Sequence, residues 1–138
     1  MTRAILTCGI VLAALCAQGC VYVNREEKVV SPPPSSAGSE DITIREIDTV
    51  SRLAFADNQA AGLKNIARRE DLSAEAQVHL VDVTFKRLAF EDMKVDVLIT
   101  LIKNPNFSEE ARSAIIDRIN RLAFEGNRME VLEALSRH

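Results

Sequence analysis

The tetrapeptide Arg-Leu-Ala-Phe occurs at residues 52–55, 87–90 and 121–124, and this recurrence decides the fold of the chain. The copies start 35 and 34 residues apart, and the apolar positions that flank them align as well. Identical residues at a near-constant spacing are the signature of an internal repeat built from one supersecondary unit. The sequence therefore predicts three tandem units, at about 41–71, 72–106 and 107–138.

Each unit is predicted to be a pair of α-helices. In the third unit Ser108 can cap a helix whose apolar residues, Ala111, Ile115, Ile119 and Leu122, recur with helical spacing. A polar break follows the shared Phe, and a second apolar stripe follows that break. The expected fold is all-α: three tandem αα-hairpin repeats of about 34–35 residues that form a small right-handed solenoid or a six-helix bundle.

The phenylalanine of the repeated tetrapeptide is predicted to belong to the core. Phe90 and Val95, like Phe124 and Met129, are separated as in a hydrophobic staple, which packs the residue before a helix cap on the first turn. The alternative interpretation is an exposed hook for a partner. In the second stripe of the last unit, Met129 and Leu132 are expected to face the core.

Residues 1–19 are typical of a signal peptide, with Arg3 before an apolar run that is too short to span a bilayer. Residues 17–20, Ala-Gln-Gly-Cys, resemble the lipobox of bacterial lipoproteins. In that family a peptidase cuts before the cysteine, whose thiol carries a diacylglycerol. The resemblance implies cleavage after residue 19 and lipidation of Cys20. The alternative is an ordinary signal peptide in which this cysteine has no role.

Residues 20–40 are predicted to be the lipidated cysteine and a flexible tether, since residues 31–39 are rich in Pro and Ser. By resemblance to enterobacterial sorting, Val21 after the cysteine favours the outer membrane over the inner one. The expected location is therefore the bacterial cell envelope. A lipid on the cysteine would hold the chain on the outer membrane, facing the periplasm.

The repeated segments resemble bacterial αα-repeat families of unknown function and are broadly similar to short HEAT-like solenoids. Residues 90–98, Phe-Glu-Asp-Met-Lys-Val-Asp-Val-Leu, and residues 124–132 carry this resemblance. The first unit departs from the pattern, with Ala56 and Gln59 in place of the Glu and the basic residue. The resemblance implies a fold and no catalytic residues.

The composition offers little for catalysis or for nucleic-acid binding. A formal net charge of -3 lacks the basic face that nucleic acid requires, and 4% aromatic residues are few for the walls of a ligand pocket. Neither His79 nor His138 has a second histidine at ligand spacing, and His79 is expected to pair with Glu75 one turn earlier. The sequence therefore predicts a non-enzyme without metal, cofactor or small-molecule substrate.

One set of residues is a candidate for partner binding, because repeat stacking would align its members along one face: Arg52, Arg87 and Arg121. In one interpretation this is a solvated row whose last two members pair with Glu91 and Glu125; in the other it is a basic ladder that docks an acidic partner. The predicted function is a membrane-anchored lipoprotein that presents a helical-repeat module to another envelope protein. The alternative is a structural envelope lipoprotein that contacts peptidoglycan or spaces the membrane.

Overall fold

The computed structural model describes residues 37–138, with the side chains of residues 38 and 42–138. The predicted signal peptide, Cys20 and the tether as far as residue 36 lie outside the described residues. The first helix begins at Ala37, so the last four residues of the expected tether are helical. This earlier start is possible because the last proline of the tether is Pro34, so no later ring blocks helical hydrogen bonding.

Six α-helices make up the described part of the chain, which contains no strand. They are α1 (Ala37–Val50), α2 (Ala56–Ala67), α3 (Ala74–Arg87), α4 (Glu91–Ile102), α5 (Glu109–Arg118) and α6 (Glu125–Arg137). The predicted all-α fold of helix pairs is thereby confirmed. Residues 37–138 contain no helix with the length and apolar character that crossing a membrane would take.

A short 3-10 turn, Ile119–Arg121, extends α5 and explains why the last repeat is one residue shorter. A 3-10 turn rises about 2.0 Å per residue, against about 1.5 Å in an α-helix. Ten α-helical and three 3-10 residues therefore reach about 21 Å, as do the 14 residues of α3. The repeated tetrapeptide therefore lies at the same distance along the helix axis from the helix start in the second and third units.

The helices form a small bundle in which α1, α3 and α5 lie side by side, and α2, α4 and α6 lie side by side against them. Consecutive helices of the first two units also contact each other as hairpins. The core between the two layers includes Leu63, Leu80, Leu98, Leu101 and Ile115, all of them fully buried. Helices α3 and α5 start at Ser73 and the predicted cap Ser108, whose hydroxyls each accept a backbone hydrogen bond.

Buried Asn104 connects the first unit to the second. Its Nδ2 donates to the carbonyl oxygens of Ala67 at 2.8 Å and Arg69 at 2.7 Å, and its Oδ1 accepts from the backbone N–H of Asn106 at 2.9 Å. The carbonyl groups at the end of a helix have no partner within the helix. The Asn104 side chain therefore supplies donors to the end of α2 that the helix cannot supply itself.

Buried Gln77 connects the second unit to the third in a similar way. Its Nε2 donates to the carbonyl oxygens of Leu72 at 3.1 Å and Asn106 at 2.8 Å. Its Oε1 accepts from the backbone N–H of Ser108 at 2.9 Å. One buried amide side chain therefore stands at each boundary between units.

Some predicted contacts are wrong in detail. The Nε2 of His79 lies 2.9 Å from Oδ1 of Asp48 on α1, so the histidine joins two helices and does not pair with Glu75. Met129 and Leu132 are 58% and 42% exposed and do not face the core. No unit follows α6 in the described part of the chain, so nothing there covers the side of α6 on which these two residues lie.

Candidate interaction surface

The three phenylalanines of the repeated tetrapeptide lie on the surface. Phe55, Phe90 and Phe124 are 71%, 59% and 66% exposed, so the prediction that they belong to the core was wrong. A hydrophobic staple needs the apolar residue one position before the helix cap. Each phenylalanine is itself the N-cap, and the position before it holds an alanine. A shift of one residue in the helix start thus turns a core position into an exposed one.

These phenylalanines are also unfavourable as helix caps. The side chain of Phe has no acceptor, and α2, α4 and α6 accordingly begin without a side-chain cap hydrogen bond. A Ser, Thr, Asp or Asn at such a position typically stabilises a helix by about 0.5–2 kcal/mol relative to a residue that cannot cap. Phe at these positions therefore contributes no side-chain cap, and the larger part of each ring remains exposed.

Packing accounts for only one residue of the tetrapeptide. Leu88 and Leu122 are 3% and 1% exposed, whereas Leu53 of the first unit is 42% exposed. The Arg, Ala and Phe of all three copies are exposed. Burial therefore explains the leucine of the second and third copies, and it leaves the identity of the other three residues without a structural reason.

The exposed residues form a row because α2, α4 and α6 begin side by side. Lys64 of α2 and Asp96 of α4 are joined by a 3.0 Å ion pair, and Glu91 at the start of α4 bonds to Phe124 just before α6. Packed helices lie about 8–10 Å apart. We call the resulting row the ladder; it consists of Phe55, Phe90 and Phe124 with Arg52, Arg87 and Arg121.

The guanidinium groups of the ladder have no ion-pair partner among residues 37–138. The predicted pairing of Arg87 with Glu91 and of Arg121 with Glu125 is therefore wrong. The Glu91 carboxylate instead accepts hydrogen bonds from the backbone of the next unit, and the Glu125 carboxylate has no hydrogen bond or ion pair within the described residues. The described residues thus leave the three guanidinium groups exposed and without internal ion pairs.

Glu91 fixes the loop before α6. Its carboxylate accepts hydrogen bonds from the backbone N–H groups of Ala123 and Phe124 and from Nδ2 of Asn127, the last two at 3.2 Å. The bond from Ala123 is the largest of the interactions that hold the pKa of the Glu91 carboxyl below its usual value. The tetrapeptide of the third unit is thus held to the second unit by a charge-assisted contact.

The described surface also has a hollow of about 340 Å³ between α4 and α6. Its lining includes Ile99, Lys103 and Arg137, together with the C-terminal His138. The Nε2 of His138 lies 3.3 Å from the backbone oxygen of Asn104, and its ring packs edge-on against Phe107. These contacts give the histidine a packing role. Within residues 37–138 no three His, Cys, Asp or Glu side chains approach closely enough to hold a metal ion.

Searches against protein-family models, curated proteins and solved structures found no match to this chain.

Proposed function

We propose that this chain is a lipid-anchored bacterial envelope protein whose helical-repeat domain binds another protein through the ladder. The role is non-enzymatic. The observation that carries the proposal is the exposure of Phe55, Phe90 and Phe124 at three uncapped helix starts. A residue that cannot cap the helix at each of these positions lowers the stability of the fold by roughly 1 kcal/mol per helix relative to a capping residue. A binding role explains why the chain retains the rings in spite of that cost.

The composition of the ladder suits a protein interface. Aromatic residues and Arg are enriched among the side chains that contribute most to binding, because they combine a large contact area with directed hydrogen bonds. Guanidinium groups that have no internal partner can form bidentate hydrogen bonds with carboxylates. The ladder therefore fits a partner segment that carries apolar and acidic side chains.

The spacing of the ladder narrows the shape of that segment. We call the Arg and Phe of one unit a rung of the ladder. Neighbouring helices set successive rungs about 8–10 Å apart. Residues seven positions apart on an α-helix are about 10.5 Å apart along its axis. A partner helix with an apolar and an acidic residue in each of three successive heptads would therefore match all three rungs.

The location is proposed from the sequence. The resemblance of residues 17–20 to a lipobox supports an anchor on Cys20, and Val21 supports the outer membrane facing the periplasm. Acyl chains contribute about 0.8 kcal/mol per buried CH₂, so more than one chain makes the attachment persistent. The tether that follows would let the domain reach a partner some distance from the lipid surface.

Replacing Phe90 and Phe124 together by Ser separates binding from stability. Partner capture is measured by photo-crosslinking in cells that express the full chain, followed by mass spectrometry. Capture is expected to fall about tenfold or more, because aromatic anchors are lost. The unfolding midpoint is expected to rise, because serine can cap α4 and α6 as Ser73 caps α3.

The matched control is Ile42→Ser, which removes an equally exposed apolar side chain from α1, outside the ladder. It is expected to leave capture unchanged. Unchanged capture by the double Phe variant and by Arg87→Glu with Arg121→Glu would refute the ladder as a binding surface. Sedimentation of these variants with cell-wall sacculi, as for the wild type, would favour the structural alternative. Palmitate labelling that persists in Cys20→Ser would refute the anchor.

A further inference from the structure

The second helix of the last unit exposes a stripe that is covered in the other two units. The stripe consists of the residues one, five and eight positions after the shared Phe: Ala56, Ala60 and Leu63 in α2, Glu91, Val95 and Leu98 in α4, and Glu125, Met129 and Leu132 in α6. The four apolar residues at the last two positions in α2 and α4 are at most 7% exposed. Met129 and Leu132 are 58% and 42% exposed. The second helix of the next unit packs against α2 and against α4.

The first helix of the last unit shows the same change. Ile116 of α5 is 50% exposed, whereas Val81, at the same distance from its capping serine in α3, is fully buried. Both layers thus end in apolar side chains at positions that a following unit would cover. We call this surface the tail face, made of Ile116, Glu125, Met129 and Leu132.

The polar clamp made by Glu91 shows what the tail face lacks. That carboxylate accepts from the N–H groups of Ala123 and Phe124 and from the side chain of Asn127 in the next unit. Glu125 occupies the same repeat position in the last unit, and its carboxylate accepts no hydrogen bond from the described residues. The tail face therefore carries an acceptor that is suited to donors of this kind and has none.

The missing donors are present in the first unit. Asn58 lies three residues after Phe55, as Asn127 lies three residues after Phe124. The backbone N–H groups of Ala54 and Phe55 have no acceptor among the described residues, and the Asn58 side chain is exposed.

The boundary between the first two units lacks both side chains of this clamp. Ala56 takes the place of the glutamate in the first unit, and Met93 takes the place of the asparagine in the second, so the N–H groups of Ala89 and Phe90 have no acceptor among the described residues either. The unused glutamate and the unused asparagine therefore lie in the last and the first unit, at opposite ends of the stack.

We propose that the tail face of one copy of this chain binds the first unit of a second copy, head to tail. Glu125 then accepts from the N–H groups of Ala54 and Phe55 and from the Asn58 side chain of the second copy, as Glu91 does for the third unit within one chain. Met129 and Leu132 are covered by α2 of the second copy. This contact repeats the packing between units within the chain. It uses backbone N–H groups at the first copy of the tetrapeptide and leaves the ladder side chains exposed, as the bonds from Glu91 leave Phe124 66% exposed.

The receiving side of α2 suits this contact. Helices α4 and α6 meet the preceding unit through residues such as Asp96 and Asn127. The corresponding side of α2 carries Asn58, Ala61 and Asn65, which are exposed, small or uncharged. None of these three side chains is charged, so none of them would oppose Glu125 with a second carboxylate. Because the two surfaces differ, such an interface is heterologous and either extends into a row or closes into a ring.

A complementation experiment tests the head-to-tail arrangement. The tail variant is Met129→Glu with Leu132→Glu, and the head variant is Asn58→Asp with Ala61→Asp, both in the full chain with Cys20→Ser to remove acyl chains. All four substituted side chains are exposed, so the substitutions break no packing within the chain. Oligomeric state is measured in detergent by sedimentation velocity.

The wild-type surfaces, in the chain carrying Cys20→Ser alone, are expected to show a mass that rises with concentration. Each variant alone is expected to associate at least about tenfold more weakly, because it opposes new carboxylates or removes apolar contacts. An equimolar mixture of the two variants is expected to form a one-to-one dimer, since each supplies the surface that the other lacks. Phe90→Ser serves as the control that should leave association unchanged.

Three outcomes would overturn the arrangement. The first is a monomer at all concentrations for the wild-type surfaces. The second is association that the tail variant loses and the head variant keeps, which indicates tail-to-tail pairing. The third is the absence of a dimer in the mixture. None of these outcomes bears on partner capture by the ladder, so the two proposals fail separately.

Discussion

The substitution Asn104→Asp tests whether one buried amide holds the first two units together. It keeps the size and shape of the side chain and replaces Nδ2, which donates to the carbonyl oxygens of Ala67 and Arg69, by a carboxylate oxygen. Asn104 is 2% exposed and its bond to the Ala67 carbonyl is buried, so water cannot replace that bond, whereas the bond to the Arg69 carbonyl is only partly buried. Each of the two bonds contributes about 0.5–1.5 kcal/mol, and the buried Ala67 carbonyl left unpaired costs about 1–3 kcal/mol more. The free energy of unfolding is therefore expected to fall by about 2–5 kcal/mol, a large part of the stability of a domain of this size.

Urea unfolding followed by circular dichroism measures this loss. The matched control is Asn106→Asp, the same substitution at an exposed residue that donates one hydrogen bond to the carbonyl oxygen of Glu70. This control is expected to lower the free energy of unfolding by about 1 kcal/mol or less. Burial and the two carbonyl oxygens should raise the pKa of the carboxyl introduced by Asn104→Asp. Its penalty is then smallest below the unfolded-state pKa of aspartate and grows as the pH rises towards 7. Equal losses for the two variants at neutral pH would refute the reasoning.

Two further predictions concern stability. The hydrogen bond from the Ala123 backbone is the main cause of the lowered pKa of Glu91. The ionised Glu91 carboxylate therefore stabilises the fold fully above the usual pKa of 4.5, and this stabilisation disappears as the pH falls through the lowered pKa. Thermal unfolding across this range should therefore depend less on pH in Glu91→Gln, and identical pH dependences in the two proteins would contradict this cause. Gly62→Ala should destabilise the domain by about 1–3 kcal/mol, since its new Cβ would lie 2.5 Å from Cγ1 of Val50. Gly126→Ala, with no atom within 4 Å of the new Cβ, should stabilise α6 by up to about 1 kcal/mol in the same denaturant titration, and a loss there would contradict this view of α6.

The parts of the fold that the sequence predicted depend on local patterns. Ser108 caps α5, and the stripe that includes Ala111 and Ile115 is buried, because capping and helical periodicity are set by residues within a few positions. The tetrapeptide predicted the number of helix pairs because each copy stands between the two helices of one unit.

The features that escaped prediction depend on contacts between units or on a shift of one residue. Gln77 and Asn104 bond to backbone atoms 29 to 37 residues away in the chain as well as to near neighbours, and no local pattern marks such partners. The sequence signal that could have indicated Asn104 is its position before Pro105, which excludes it from a helix interior. The exposure of the ladder phenylalanines depends on which residue is the N-cap, and sequence patterns place a helix boundary only to within a few residues.

The boundaries between units differ, whereas the ladder does not, and this contrast bears on what the ladder contacts. In a stack of repeats each unit touches only its neighbours, so the chemistry of each boundary can change independently. The Glu91 clamp is accordingly present at one boundary and absent at the other. Duplication alone does not account for an unchanged ladder, because exposed positions beside it do differ, as Lys86 and Asn120 or Asp92 and Gly126 show. Exposed Arg and Phe in every unit are what one ligand would require if it contacts all three rungs at once. A partner that touched a single unit would leave the other two rungs free to vary.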